Sequence, residues 1–179
     1  MTTPQDVIDF WVKAGPRKWF ARDAAFDALI RDRFEAAHHA AARREYDGWQ
    51  DSPEGALALL ILLDQVPRTI FRGSPHAFAT DPLARAVARQ AIGRGFDRQV
   101  DPALRPFFYL PFEHSEDAAD QDYGVALCTR HGDAETLKWA ILHRDIIERF
   151  GRFPHRNAML GRETTAQEQA FLDKGGFAG

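Results

Sequence analysis

Three imidazoles, a carboxylate and a run of guanidinium groups are the side chains of this sequence best suited to chemistry. From Arg149 to Arg162 the chain reads RFGRFPHRNAMLGR, with arginines at 149, 152, 156 and 162 and no acid, in a protein of formal net charge −3. A guanidinium is a planar fork that grips carboxylate or phosphate oxygens through two parallel hydrogen bonds, so several on one ordered loop make an anion cradle. Pro154 holds Phe153 extended, and the interleaved Phe150 and Phe153 predict that the loop packs against the body of the protein. Arg152, Arg156, Asn157 and Arg162 are its ligand-binding candidates, with His155 among them. The same arginines serve equally well as an internal clasp, tying helix ends to acids of the chain itself.

Three further constellations stand out. In PFEHSE, residues 111–116, Glu113 and His114 precede a helix start, where a carboxylate can orient an imidazole as a general base or hold it for a metal. Glu116 reads as an ordinary first-turn acid. His143 falls within the stripe Trp139, Ala140, Ile146, Ile147 and Phe150, which turns an ionisable ring toward the core. It is either a satisfied core residue or, with His155 and the loop, part of a pocket wall. His143, His155, Glu113 and His114 are therefore the catalytic candidates. In LDQVPR, Asp64 closes the most apolar helix of the chain and needs a cation or strong donor; Arg68, Arg72 and the loop arginines are its candidate partners, and Asp64, Gln65, Arg68 and Arg72, with Gln65 and Arg68 near enough to share one cluster, complete the ligand-binding set. A structural salt bridge accounts for Asp64 as well as ligand binding does.

The sharp local signatures are missing. There is no HExxH, no pair of cysteines and no GxxxxGK[ST] or GxGxxG loop. Glu35 and His38 form a single ExxH, where a di-iron bundle needs two and two further carboxylates. Cys128 has no neighbouring histidine in its helix and reads as a core thiol, and the four scattered tryptophans read as core packing. No cofactor or bound metal is expected.

The elements that must position these residues are helices. Helix starts recur at Thr3-Pro4, Asp23, Ser52-Pro53, Asp81-Pro82, Asp101-Pro102, Ser115, Asp133 and Thr165, the last with Glu168 in a capping box. The second helix, with Phe26, Leu29, Ile30, Phe34, Ala37 and Ala41 on one face, is expected to run to about Tyr46. The third, with the interior ALALLILL, is apolar all round and should stop before Pro67. Gly151 ends the seventh. With 179 residues and no linker or 34-residue period, residues 1–179 read as a single all-α domain of about eight helices, an irregular helical bundle or α-α superhelix.

Near-balanced charge, 23 basic against 26 acidic residues, argues against nucleic acid. The longest apolar run, Ala56 to Leu63, is far short of a membrane span. One cysteine and an N-terminus bearing Asp6 and Asp9 point to a reducing, cytoplasmic setting.

The strings LDQVPRTIFRGSPHAFATD (63–81), YLPFEHSED (109–117) and FGRFPHRNAMLGRETTAQEQAFL (150–172), with KWFARDAAFD at 18–27, together resemble the family known as domain of unknown function 924 over nearly the whole chain. The resemblance implies an all-α fold similar to tetratricopeptide-like helical superhelices and carries no activity, substrate or cofactor. Val66 stands where the family often has phenylalanine, a difference of packing.

Whether the chain is an enzyme stays open at this stage. The leading expectation is a helical pocket for a small carboxylate or phosphate ligand, possessing hydrolase-type chemistry. Arg152, Arg156 and Arg162 would clamp the anion, His143 or His155 would be acid or base, and Glu113, His114 and Asp64 would form the far wall. A protein-interaction scaffold and a metal-dependent hydrolase using Glu113, His114, His143 and His155 are the alternatives.

Overall fold

Side-chain caps begin six of the ten α-helices in the computed structural model, which describes residues 2–177. Thr3 opens α1 (Pro4–Ala14) by accepting from the Asp6 N–H while the Asp6 carboxylate accepts from the Thr3 N–H, a reciprocal box where a plain Thr-Pro start is expected. A single turn, α2 (Pro16–Trp19), leads to Asp23, which caps α3 (Ala24–Ala42). Phe26, Ile30, Phe34, Ala37 and Ala41 are buried as expected. Leu29 is 51% exposed, because the stripe centres on Phe26, Ile30 and Phe34 and Leu29 sits at its edge.

The end of α3 comes at Ala42, not near Tyr46. Arg44 adopts φ 66°, Arg44 N–H donates to Ala41 O at 2.9 Å and Glu45 N–H to Ala40 O at 3.0 Å, so the chain turns off through a left-handed cap on a residue other than glycine.

Ser52 caps α4 (Pro53–Leu60), whose residues Ala56 to Leu60 are all buried. The predicted stop before Pro67 does not occur. The helix widens into a π-turn at Ile61–Gln65 and continues as α5 (Val66–Ile70) with Pro67 inside it. The Val66 N–H reaches back five residues to Ile61 O, so Leu62 O loses its α-helical donor; Leu63 O loses its own because Pro67 has no N–H. Both carbonyls find side chains instead: His38 Nδ1 donates to Leu62 O at 2.8 Å and Thr80 Oγ1 to Leu63 O. The expected break at proline is thus converted into a bulge by two donors distant in sequence.

Next comes α6 (Asp81–Gly93). The helix expected from Asp101-Pro102 is instead a set of turns, with a 3-10 turn at Arg105–Phe108 and one α-turn, α7 (Leu110–Glu113). The helix α8 (Ala118–His131) is capped by Asp117, which accepts from the Ala119 and Asp120 N–H groups; Ser115, the predicted cap, donates its hydroxyl to Asp120 at 2.7 Å. Asp133 and Gly151 bound α9 (Ala134–Phe150) as expected, and Thr165 with Glu168 opens α10 (Ala166–Asp173).

Every regular element among the described residues is helical. None of the helices is long and apolar enough to cross a membrane. The chain falls into two compact units. One takes Met1–Arg72 with His76–Pro111, where α4 packs on α1 and α6 and α3 packs on α5. The other takes Gly73–Pro75 with Phe112–Gly179, where α8 pairs with α9 and α10 packs on a 3-10 turn at Pro154–Arg156.

Candidate functional site

The residues singled out by their chemistry divide between the two units. Asp64, Gln65, Arg68 and Arg72 belong to the first. Asp64 is 1% exposed and lies 3.1 Å from Arg68 Nη1, and its Oδ2 accepts from Gln65 Nε2 at 2.6 Å. The Arg68 fork closes on Asp81 at 2.8 and 2.9 Å, a partner 13 residues on and outside the expected set. Burial works against the Arg68 charge, but Asp64 and Asp81 together raise its pKa above the ordinary value. Arg72 donates to Asp27 at 2.9 Å. Each has a carboxylate or amide partner inside its own unit.

In the second unit the loop arginines meet acids from elsewhere in the sequence. Arg162 donates to both oxygens of Glu116 at 2.7 and 3.0 Å, and Glu116 also accepts from the Phe153 N–H at 2.8 Å. Burial opposes the Glu116 charge, yet Arg162 and the Phe153 N–H outweigh it and hold the carboxyl below the usual range, with Arg156 adding to the effect. Arg152 grips Glu168 at 2.6 and 2.9 Å, and the Thr165 N–H and Asn157 Nδ2 complete that carboxylate's shell. Arg152, with the Thr165 bonds, brings Glu168 down to about 2. Two forks of the presumed cradle are therefore closed on the protein's own carboxylates. The sequence offered no local sign of this: Glu116 looks like a first-turn acid and Glu168 like half of a capping box. Arg149 lies over the Phe150 ring at 4.6 Å, and Arg156, 6% exposed, lies over Phe153 at 4.5 Å.

The four catalytic candidates do converge, all within the second unit. Glu113 is 2% exposed, and its Oε2 stands 3.7 Å from His143 Nδ1. That nitrogen donates to Trp139 O at 2.7 Å, one helical turn back, so in the neutral ring the lone pair falls on Nε2. The His114 ring centroid is 6.3 Å from that of His143, and Phe153 lies 5.6 Å from His143 and 5.7 Å from His155. Burial first, then the charge of Arg156, pushes His155 down to about 3, so the ring is neutral at neutral pH. Its Nδ1 is buried without a hydrogen-bond partner.

One face of α8 holds the Glu113 turn in place. Gln121 Nε2 donates to the carbonyls of Phe112, Glu113 and Ser115 at 3.2, 2.8 and 2.7 Å. One turn on, Gly124 lets the turn approach: a Cβ there would come within 3.3 Å of Phe112 Cβ. A turn further, Cys128 Sγ donates to Glu113 Oε1 at 3.7 Å. Burial and the Glu113 charge push the thiol far up, so it is protonated, not a nucleophile. Among the described residues, no three of His, Cys, Asp or Glu are grouped to hold a metal ion.

The described residues thus form an all-helical structure in which an acid, three imidazoles and an arginine lie in one unit. The chain belongs to a family of bacterial proteins of unknown function, DUF924, whose model matches residues 7–176. It is also similar to a solved structure, a protein of unknown function, ATU0120, from Agrobacterium tumefaciens, at 56% identity and TM-score 0.93, over 96% of this chain and 97% of that one. No curated protein matches.

Proposed function

We propose that the second unit carries an acid–base site for a small carboxylate or phosphate compound, with His143 as the proton acceptor and Glu113 as the group that orients and balances it. The observation that carries this reading is the pairing of a buried carboxylate with a buried imidazole, His143 Nδ1 to Glu113 Oε2 at 3.7 Å, with His114 and His155 beside them. With Nδ1–H directed at Trp139 O, the lone pair on Nε2 is the position from which His143 takes a proton; the charge it gains is then offset by Glu113. Arg156, the positive charge beside His155 and Glu116, is assigned the role of anion anchor for its place next to the imidazoles. Hydrolysis, in which His143 draws a proton from water, is the reaction class that this set serves.

Imidazole resonances followed by heteronuclear NMR during titration with acetate and with inorganic phosphate test the reading. Saturable shifts at His114, His143 and His155, lost in Arg156→Met, support it. Imidazole signals that ignore both anions would sink it.

A further inference from the structure

The first unit carries a second acid-free basic stretch. From Phe10 to Arg22 the chain reads FWVKAGPRKWFAR, with Lys13, Arg17, Lys18 and Arg22 and no acid, in a protein of formal net charge −3. Arg152 and Arg162 of the later loop close on carboxylates; two cations of this stretch do not. Among the described residues, the exposed side chains of Lys13 and Arg17 make no hydrogen bond or ion pair. Lys18 meets Asp23 only loosely, at 3.7 Å, with both side chains open to water. Between these cations stands Phe20, 65% exposed, more than any other large apolar side chain among the described residues, and Val12 is 53% exposed.

The fold presents this stretch on a firm seat. Gly15, at φ 77°, ends α1 and lets α2 begin at once behind it. Trp19 Nε1–H then donates to Trp11 O at 2.7 Å, which ties α2 back to the end of α1. Trp11 is fully buried, Trp19 meets Phe107 edge-on at 5.1 Å, and Phe107 also backs the Phe20 ring at 6.2 Å. The two tryptophans are the anchors, and the residue after each, Val12 and Phe20, is left outside. The seat keeps this apolar surface in water, where burial against a partner is favourable.

We propose that residues 12–22 form a docking surface for an anionic lipid bilayer, with Phe20 and Val12 entering the headgroup boundary and Lys13, Arg17 and Lys18 lying among the lipid phosphates. Charge complementarity favours a bilayer over an acidic protein. A specific carboxylate partner calls for guanidinium and ammonium groups held in a set geometry, whereas Lys13 and Arg17 are held by nothing. A diffuse anionic layer needs only their charge. Fluid acyl chains likewise accept a projecting ring such as Phe20 without a matching pocket. The attachment is interfacial, since no helix is long and apolar enough to cross a membrane. It belongs to the first unit and does not depend on the acid–base site of the second.

Cosedimentation of the full chain with vesicles tests the proposal, using phosphatidylcholine alone and phosphatidylcholine mixed with phosphatidylglycerol. At low salt the chain sediments with the anionic vesicles and not with the neutral ones, and high salt releases it. Lys13→Gln combined with Arg17→Gln lowers the partition coefficient about thirtyfold, from about fivefold for each cation. Phe20→Ala lowers it about tenfold, and Phe20→Trp, which keeps an interfacial ring, retains it. The glutamine pair removes no contact of the fold, so it carries the test if Phe20→Ala loses helical circular dichroism. Parent-like partition of the glutamine pair would overturn the proposal, as would equal sedimentation with both kinds of vesicle. Failure to sediment with either also overturns it and leaves the cations to an acidic protein partner.

Discussion

At the scale of single residues, the arginines of the loop show how a charge count changes meaning once partners are known. Residues 149–162 carry four arginines and no acid, yet Arg152 and Arg162 each close on a carboxylate 16 and 46 residues away. A bidentate guanidinium–carboxylate pair, partly buried, gains its energy as a unit, and loss of one partner strands the other charge. Glu116→Gln should therefore lower stability by about 2–3 kcal/mol in urea unfolding, since it leaves the Arg162 fork and the Phe153 N–H poorly met. The double variant Glu116→Leu with Arg162→Met should recover much of that loss, because neither charge is then stranded. Equal destabilisation of single and double variants would show that the pair itself is not the source.

At the scale of elements, two departures from regular helix have local causes and measurable consequences. Arg44 ends α3 at φ 66°, a conformation that costs a side chain with a Cβ about 1 kcal/mol and glycine little. Its contact with Asp47 is on the surface and worth little in return. Arg44→Gly is accordingly expected to stabilise the protein by about 0.5–1 kcal/mol, read as a rise in melting temperature. The π-turn before Pro67 depends on its two borrowed donors. Thr80→Val keeps the shape of the side chain and removes the donor to Leu63 O, so urea unfolding should show a loss of about 1–3 kcal/mol. An unchanged midpoint would mean that this carbonyl finds another donor.

At the scale of the whole molecule, buried titratable groups in both units act in one direction. His38 in the first unit and His155 in the second are held below their ordinary 6.5, His155 at about 3, with burial the largest cause for each. The unfolded chain binds protons near 6.5 and the folded one does not, so this contribution to stability is full above that pH and fades as pH falls through the window toward 3. Glu168, brought to about 2 mainly by Arg152, adds stability that is present above 4.5 and is lost as pH falls toward its folded value. Unfolding free energy should drop by on the order of 3 kcal/mol from His155 alone between pH 7 and pH 4, and His155→Phe should flatten that limb. A slope untouched by His155→Phe would show that other groups account for it.

The sequence by itself determined the helical class, most helix starts and the membership of the family, because capping, periodicity and the long family strings are local properties. Asp23, Ser52, Asp133 and Thr165 cap where their neighbours said they would, and Gly151 ends α9 at φ 67°. It also marked out Glu113, His114, His143 and His155, since ionisable groups beside apolar runs are conspicuous. What only the tertiary structure decided is which side chain meets which. Pro67 sits inside a helix because His38 and Thr80 arrive from outside it. Contacts of this kind join residues far apart in the chain, and no spacing or periodicity encodes them. The arginine loop was an open question for the same reason: its two strongest partners, Glu116 and Glu168, lie outside it and look like ordinary helix-start acids until the fold brings them in.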